Sequence, residues 1–236
     1  MKIATRNLLA ELLLEAFEDR TAAMALHCLA ASCPTDGPTP RTATVEQLLR
    51  PVQPLDREAV LAALQKHPLL TWSGHGQSAQ WSLAPAVFDE WQAIANKLTR
   101  FSIMLREWAP NDKDTPRQQV LRKGALLFNH QLFFEVHEVL ETRWMKETGD
   151  EKLFLQGLIQ IAVAFYHLQN RNRHGALLLL HDGSEKLKPY RPRFLGVELS
   201  EFCRQLQEIQ RQLNQGEVAN ALQFALEQVP RLRLVG

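Results

Sequence analysis

Charge of either sign is not in surplus in this chain: 27 Lys and Arg stand against 26 Asp and Glu, a formal net charge of +1. That balance argues against a protein that holds nucleic acid by a large cationic field. Cysteine is scarce too. Cys28, Cys33 and Cys203 make no paired CxxC spacing, so neither a disulfide framework nor a cysteine zinc site is expected, and three free thiols fit a reducing cytoplasm. Long apolar runs are missing, since none reaches the roughly 18 residues that a membrane-spanning helix needs. The opening stretch MKIATRNLLAELLLEAFEDR is partly apolar, but Glu11, Glu15 and Glu18 interrupt it at helical spacing, unlike the uncharged core of a secretory signal. What is present is 236 residues, 45% of them apolar and 22% charged, enough to bury a core in one large domain or two modest ones. The expectation is a globular cytoplasmic protein with no membrane contact.

The first half, residues 1 to 110, reads as helices followed by a short pair of strands. An apolar-periodic helix runs from about Leu8 to Leu29. SCPTDGPTPRT, rich in proline, breaks the pattern, and Thr42 or Thr44 can cap the next short helix, VEQLLR. Asp56 is placed to cap DREAVLAALQKH, which Pro68 stops. LLTWSGHGQSAQWSL then carries two β-prone runs around Gly74 and Gly76, the pattern of a hairpin in which Trp72 and Trp81 read as core. A further helix is expected from about Ala86 to Trp108. This order is that of a winged helix-turn-helix with a small β-hairpin. Phosphate binding would need a cation surplus, yet residues 1 to 110 hold ten Lys and Arg against eleven Asp and Glu. Nucleic acid is therefore disfavoured, and a protein partner or self-association is the expected use of this half.

The polar run NDKDTP marks the boundary, and residues 111 to 236 read as an all-helical bundle. Helices are expected at 116 to 129, 131 to 147, 151 to 170, 173 to 187, 198 to 213 and 217 to 228, with no β-rich run after residue 110. The fold class is thus mainly α, with two dissimilar halves.

FFEVHEVLETRW, residues 133 to 144, is the unusual stretch. At about 100° per residue, Phe134, His137, Glu138, Glu141 and Trp144 share one arc of about 120°, while Glu135 and Arg143 fall to the solvent side. If Phe134 and Trp144 mark the buried side, the three ionisable groups lie near the core and need partners. The next helix, EKLFLQGLIQIAVAFYHLQN, offers Gln156, Gln160 and His167 on one stripe. Three readings follow. The cluster is a hydrogen-bonded network that fixes helix register; or His137, Glu141 and His167 are ligands of a divalent metal with one position left for water; or His137 and Glu138 act as a metal-free acid/base pair. HEVLE is not the zincin HExxH, and the set does not complete a di-iron site. KLKPYRPR, residues 186 to 193, is a local basic cluster that reads as a solvated loop.

These residues carry a resemblance. FNHQLFFEVHEVLETRW, FLQGLIQIAVAFYH, NRHGALLLL and LKPYRPRFLG together resemble the family known as domain of unknown function 309, over about residues 115 to 196. The resemblance implies short antiparallel helices and no established activity. It singles out Asn129, Phe134, Glu135, His137, Glu138, Glu141, Trp144, Gln156, Gly157, Gln160, His167, Asn172 and Gly175. Gln131 departs from it, standing where a glycine is expected. The functional expectation is a helical adaptor whose polar cluster is structural. The alternatives are a metal-dependent or acid/base enzyme using His137, Glu138, Glu141 and His167, and a DNA-binding regulator acting through the first half.

Overall fold

The structure is a computed structural model that describes residues 1–33, 43–74, 79–215, 223 and 225–235. The proline-rich loop with Thr42, the hairpin turn with His75 and Gly76, and most of the helix expected at 217 to 228 lie outside the described residues. The chain is mainly helical and divides into two compact units, Met1–Ala109 and Pro110–Gly236. Among the described residues no helix is long and apolar enough to cross a membrane.

In the first unit the single helix expected from Leu8 to Leu29 is two, α1 (Ile3–Glu18) and α2 (Arg20–Ser32). Asp19 divides them: its backbone is extended, and its carboxylate accepts the Ala22 N–H at 2.7 Å, so it caps α2. Thr44 ends the short strand β1 (Ala43–Thr44) and caps α3 (Val45–Leu48) in a reciprocal capping box with Gln47. Asp56 does not cap α4 (Arg57–Gln65); it ends a 3-10 turn begun by Pro54 and faces Arg20 at 3.4 Å. Strands β2 (Leu70–Ser73) and β3 (Gln80–Leu83) are antiparallel with Trp72 opposite Trp81, and β1 adds to β3 to give the order β1-β3-β2. Trp81 is 1% exposed and belongs to the core, whereas Trp72 is half-buried. A 3-10 segment, Pro85–Glu90, precedes α5 (Trp91–Glu107). Cys28 and Cys33 are buried free thiols; burial alone pushes them up to about 11 and about 12.

The second unit contains α6 (Pro116–Asn129), α7 (Phe133–Trp144), α8 (Gly149–Gln169), α9 (Arg173–Leu187) and α10 (Ser200–Gln215). Its core is aromatic. Phe128, Phe133, Phe165 and Phe202, from α6, α7, α8 and α10, are fully buried, and ring centroids lie 5.1 to 5.6 Å apart. Helices α6 and α8 end alike. The Leu132 N–H reaches back to Leu127 O at 3.0 Å and the Asn172 N–H to His167 O at 2.9 Å, which closes each helix only if the intervening residue is left-handed. Those residues are Gln131 and Arg171, at φ 57° and 58°. The glycine that the family resemblance led one to expect at position 131 thus has a physical reason. Helices α8 and α9 meet at Gly157 and Gly183, where a Cβ on Gly183 would lie 2.9 Å from the Gly157 carbonyl oxygen.

Contrary to expectation, the second unit is not without strands. Strands β4 (Arg193–Phe194), β5 (Val197–Glu198) and β6 (Arg233–Leu234) form a small antiparallel sheet in that order. Two-residue strands are too short to show a period of two, so the sequence carries no sign of them. KLKPYRPR is likewise partly engaged: Tyr190 packs on Phe154 and Phe194 and donates to Asp150 at 3.3 Å.

Candidate functional site on helices α7 and α8

Helix α7 turns a different side to the core from the one its aromatics suggest. Phe133, Val136, Val139 and Leu140 are buried at i, i+3, i+6 and i+7, so the arc of Phe134, His137, Glu138, Glu141 and Trp144 is half-exposed. The five do share a face, but it borders the core rather than facing it. Glu135, assigned to solvent by its wheel position, is 1% exposed. Arg143, assigned there too, pairs with Glu147 and lies 3.7 Å from Glu151, which Arg117 reaches at 3.0 Å. The wheel misplaces both because it took Phe134 and Trp144 as the core markers in place of Phe133, Val136 and Leu140.

Two contacts align α7 with α8. The Phe134 ring lies 5.9 Å from that of Tyr166, and Lys152 places its Nζ 4.7 Å from the centre of the Trp144 ring. Between those ends α7 carries His137, Glu138 and Glu141. The imidazole Nδ1 is 3.0 Å from Glu138 Oε1, and Nε2 is 3.7 Å from Glu141 Oε2. Ligand atoms of all three lie within 4.8 Å of one another. Their side chains are 29%, 35% and 41% exposed, so water reaches them and the fold does not require them to satisfy one another. An ionised carboxylate only accepts, so the contact with Glu138 needs a proton on Nδ1, and the tautomer with that proton alone is the one in which His137 can act as a ligand. Nε2 then presents a bare lone pair toward a second carboxylate.

The other expected residues are placed as follows. Asn172 accepts the Gly175 N–H on Oδ1 at 3.0 Å, which fixes its amide so that Nδ2 donates to His167 Nδ1 at 2.9 Å. A Cβ on Gly175 would strike that amide at 2.7 Å, so the Asn-x-x-Gly pattern is a helix cap. His167 is therefore held by the start of α9 and is not among the three clustered groups. Gln156 and Gln160 lie half-buried on α8, and Oε1 of Gln160 is buried with no hydrogen-bond partner among the described residues. Asn129 is elsewhere. Its amide donates to Leu232 O at 3.0 Å and accepts the Leu232 N–H at 2.8 Å, clamping the segment that leads into β6. His174 and His181 are exposed. Lys152 and Tyr166 are residues near this face that sequence reasoning did not single out; their places opposite Trp144 and Phe134 depend on how α7 and α8 cross.

The arrangement defines a class: a helical domain with a half-exposed His-Glu-Glu cluster on one helix, flanked by aromatic contacts to the next. Residues 121–179, from within α6 to within α9, match the family model described as Domain of unknown function (DUF309). The match stops before the LKPYRPRFLG run and does not reach the first unit. Neither the curated proteins nor the solved structures give a match.

Proposed function

We propose that the second unit holds one divalent cation between Nε2 of His137 and the carboxylate of Glu141, with Glu138 orienting the imidazole through Nδ1. Water fills the remaining positions. The ion then serves as a Lewis acid that activates water or polarises a bound oxygen. The observation that carries this reading is the 3.7 Å separation of His137 Nε2 and Glu141 Oε2, with Glu138 on the other ring nitrogen. Two ligands about 2.1 Å from a shared ion stand roughly 3 to 3.5 Å apart, so a small movement completes the site. A carboxylate on the far imidazole nitrogen is the usual device for fixing a ligating histidine.

The cluster's half-exposure favours this reading over a purely structural network, which would be expected to lie deeper. In the first unit, the order of helices and strands supports a winged-helix reading, and its even charge supports contact with protein rather than with DNA.

The test is elemental analysis of the untagged protein and its His137→Ala variant after dialysis into metal-free buffer and addition of zinc or manganese. The expected result is one retained ion per chain, lost in the variant, with thermal stability of the metal-free forms within roughly 0.5 kcal/mol of each other. If neither form retains an ion and His137→Ala is instead destabilised by roughly 2 kcal/mol or more, the cluster is a packing device and the adaptor reading stands.

A further inference from the structure

The first unit contains a cavity of about 240 Å³ walled by Met24, His27, Pro51, Val52 and Arg106. Helix α2 supplies Met24 and His27 one turn apart, the turn after α3 supplies Pro51 and Val52, and α5 supplies Arg106. One turn before Arg106, the buried Ser102 places its Oγ 2.7 Å from Nδ1 of His27. Nε2 of His27 makes no hydrogen bond among the described residues. Among the described residues no Asp or Glu lines the cavity, so the guanidinium is the full charge there, beside the His27 ring and the apolar Met24, Pro51 and Val52.

We propose that this cavity binds a small organic carboxylate, its carboxyl group held by Arg106 and by Nε2 of His27 and its apolar body lying on Met24, Pro51 and Val52. A guanidinium presents parallel donors that match a carboxylate, and such charge-assisted bonds are the strong ones. Burial and the neighbouring Arg106 hold His27 below its ordinary value, so the ring is neutral near pH 7. A hydroxyl can donate as well as accept, so Ser102 can serve the His27 tautomer that has its proton on Nε2, the one that offers an N–H to an anion. The apolar wall offers nothing further to an inorganic anion, and the volume admits a single-ring acid.

Isothermal titration of the full chain with benzoate, and with the neutral isostere benzamide, tests the site. Saturable one-to-one binding of benzoate is expected. Benzamide and the Arg106→Gln variant should each bind more weakly by about tenfold or more, while Arg100→Gln, an exposed change on the same helix, binds as the unaltered chain does. His137→Ala should leave the titration unchanged, which separates this site from the cation cluster. Three results would overturn the proposal: no saturation by about 10 mM benzoate, equal affinity for benzamide, or full binding by an Arg106→Gln protein of unaltered thermal midpoint.

Discussion

Gln131 and Arg171 sit at φ 57° and 58°, each at the point where a helix is closed by a backbone bond reaching past it. Left-handed backbone costs a side-chain-bearing residue of order 1 kcal/mol, a cost that glycine does not carry. Arg171→Gly should therefore stabilise the second unit by up to about 1 kcal/mol. Gln131→Gly should gain less, because the Gln131 side chain also donates to Leu226 O at 3.3 Å. Denaturant midpoints of the two variants measure this, and a loss of stability in Arg171→Gly would contradict the cap assignment. The cap was partly legible, since the family resemblance leads one to expect a glycine at 131. The left-handed turn that asks for one becomes visible only in the backbone. Glu135 and Arg143 show the opposite case, in which a residue's face depends on which neighbours the helix meets.

Among the elements, α8 and α9 show how closely two helices approach when both contribute glycine. A Cβ on Gly183 would meet Ile161 at 2.8 Å and the Gly157 carbonyl oxygen at 2.9 Å. The second contact is with backbone, which cannot turn aside. Gly183→Ala should push the helices apart and cost roughly 2 kcal/mol, as overpacking does, despite the better helix propensity of alanine. Thermal denaturation gives the sign directly, and a neutral or stabilising result would mean that the approach is looser than described. The sequence places most helices of the second unit within a few residues, because Thr115 with Gln118 and Asn172 with Gly175 write their own boundaries. It mistakes α1 and α2 for one helix, because the apolar period continues through Asp19 while the capping carboxylate breaks the backbone.

For the molecule as a whole, pH acts on the first unit through two histidines. Burial lowers His27 and His67 from the ordinary 6.5, with Arg106 adding to the effect on His27. Protonation would also cost His67 the bond in which Nδ1 accepts the Leu69 N–H at 3.3 Å. The unfolded chain binds these protons more readily than the folded one, so stability is full above pH 6.5 and falls as pH drops below it. Four of the five tryptophans, Trp72, Trp81, Trp91 and Trp108, lie in this unit, so tryptophan emission reports mainly on it. A thermal midpoint followed by emission should be lower at about pH 5.5 than at about pH 7.5, and a midpoint independent of pH across that interval would refute the effect. By itself the sequence determined the mainly helical class, the approximate helices of the second unit, and the residues that gather on the α7 face. Those follow from local propensities, caps and a period of 3.6, none of which needs a partner to be read. The tertiary structure alone decided that this face is half-exposed and that Glu135 is buried. It also turned His167 to Asn172, set Asn129 on Leu232 and brought Ser102 to His27, because each is a contact between elements far apart in the chain or set by how helices cross.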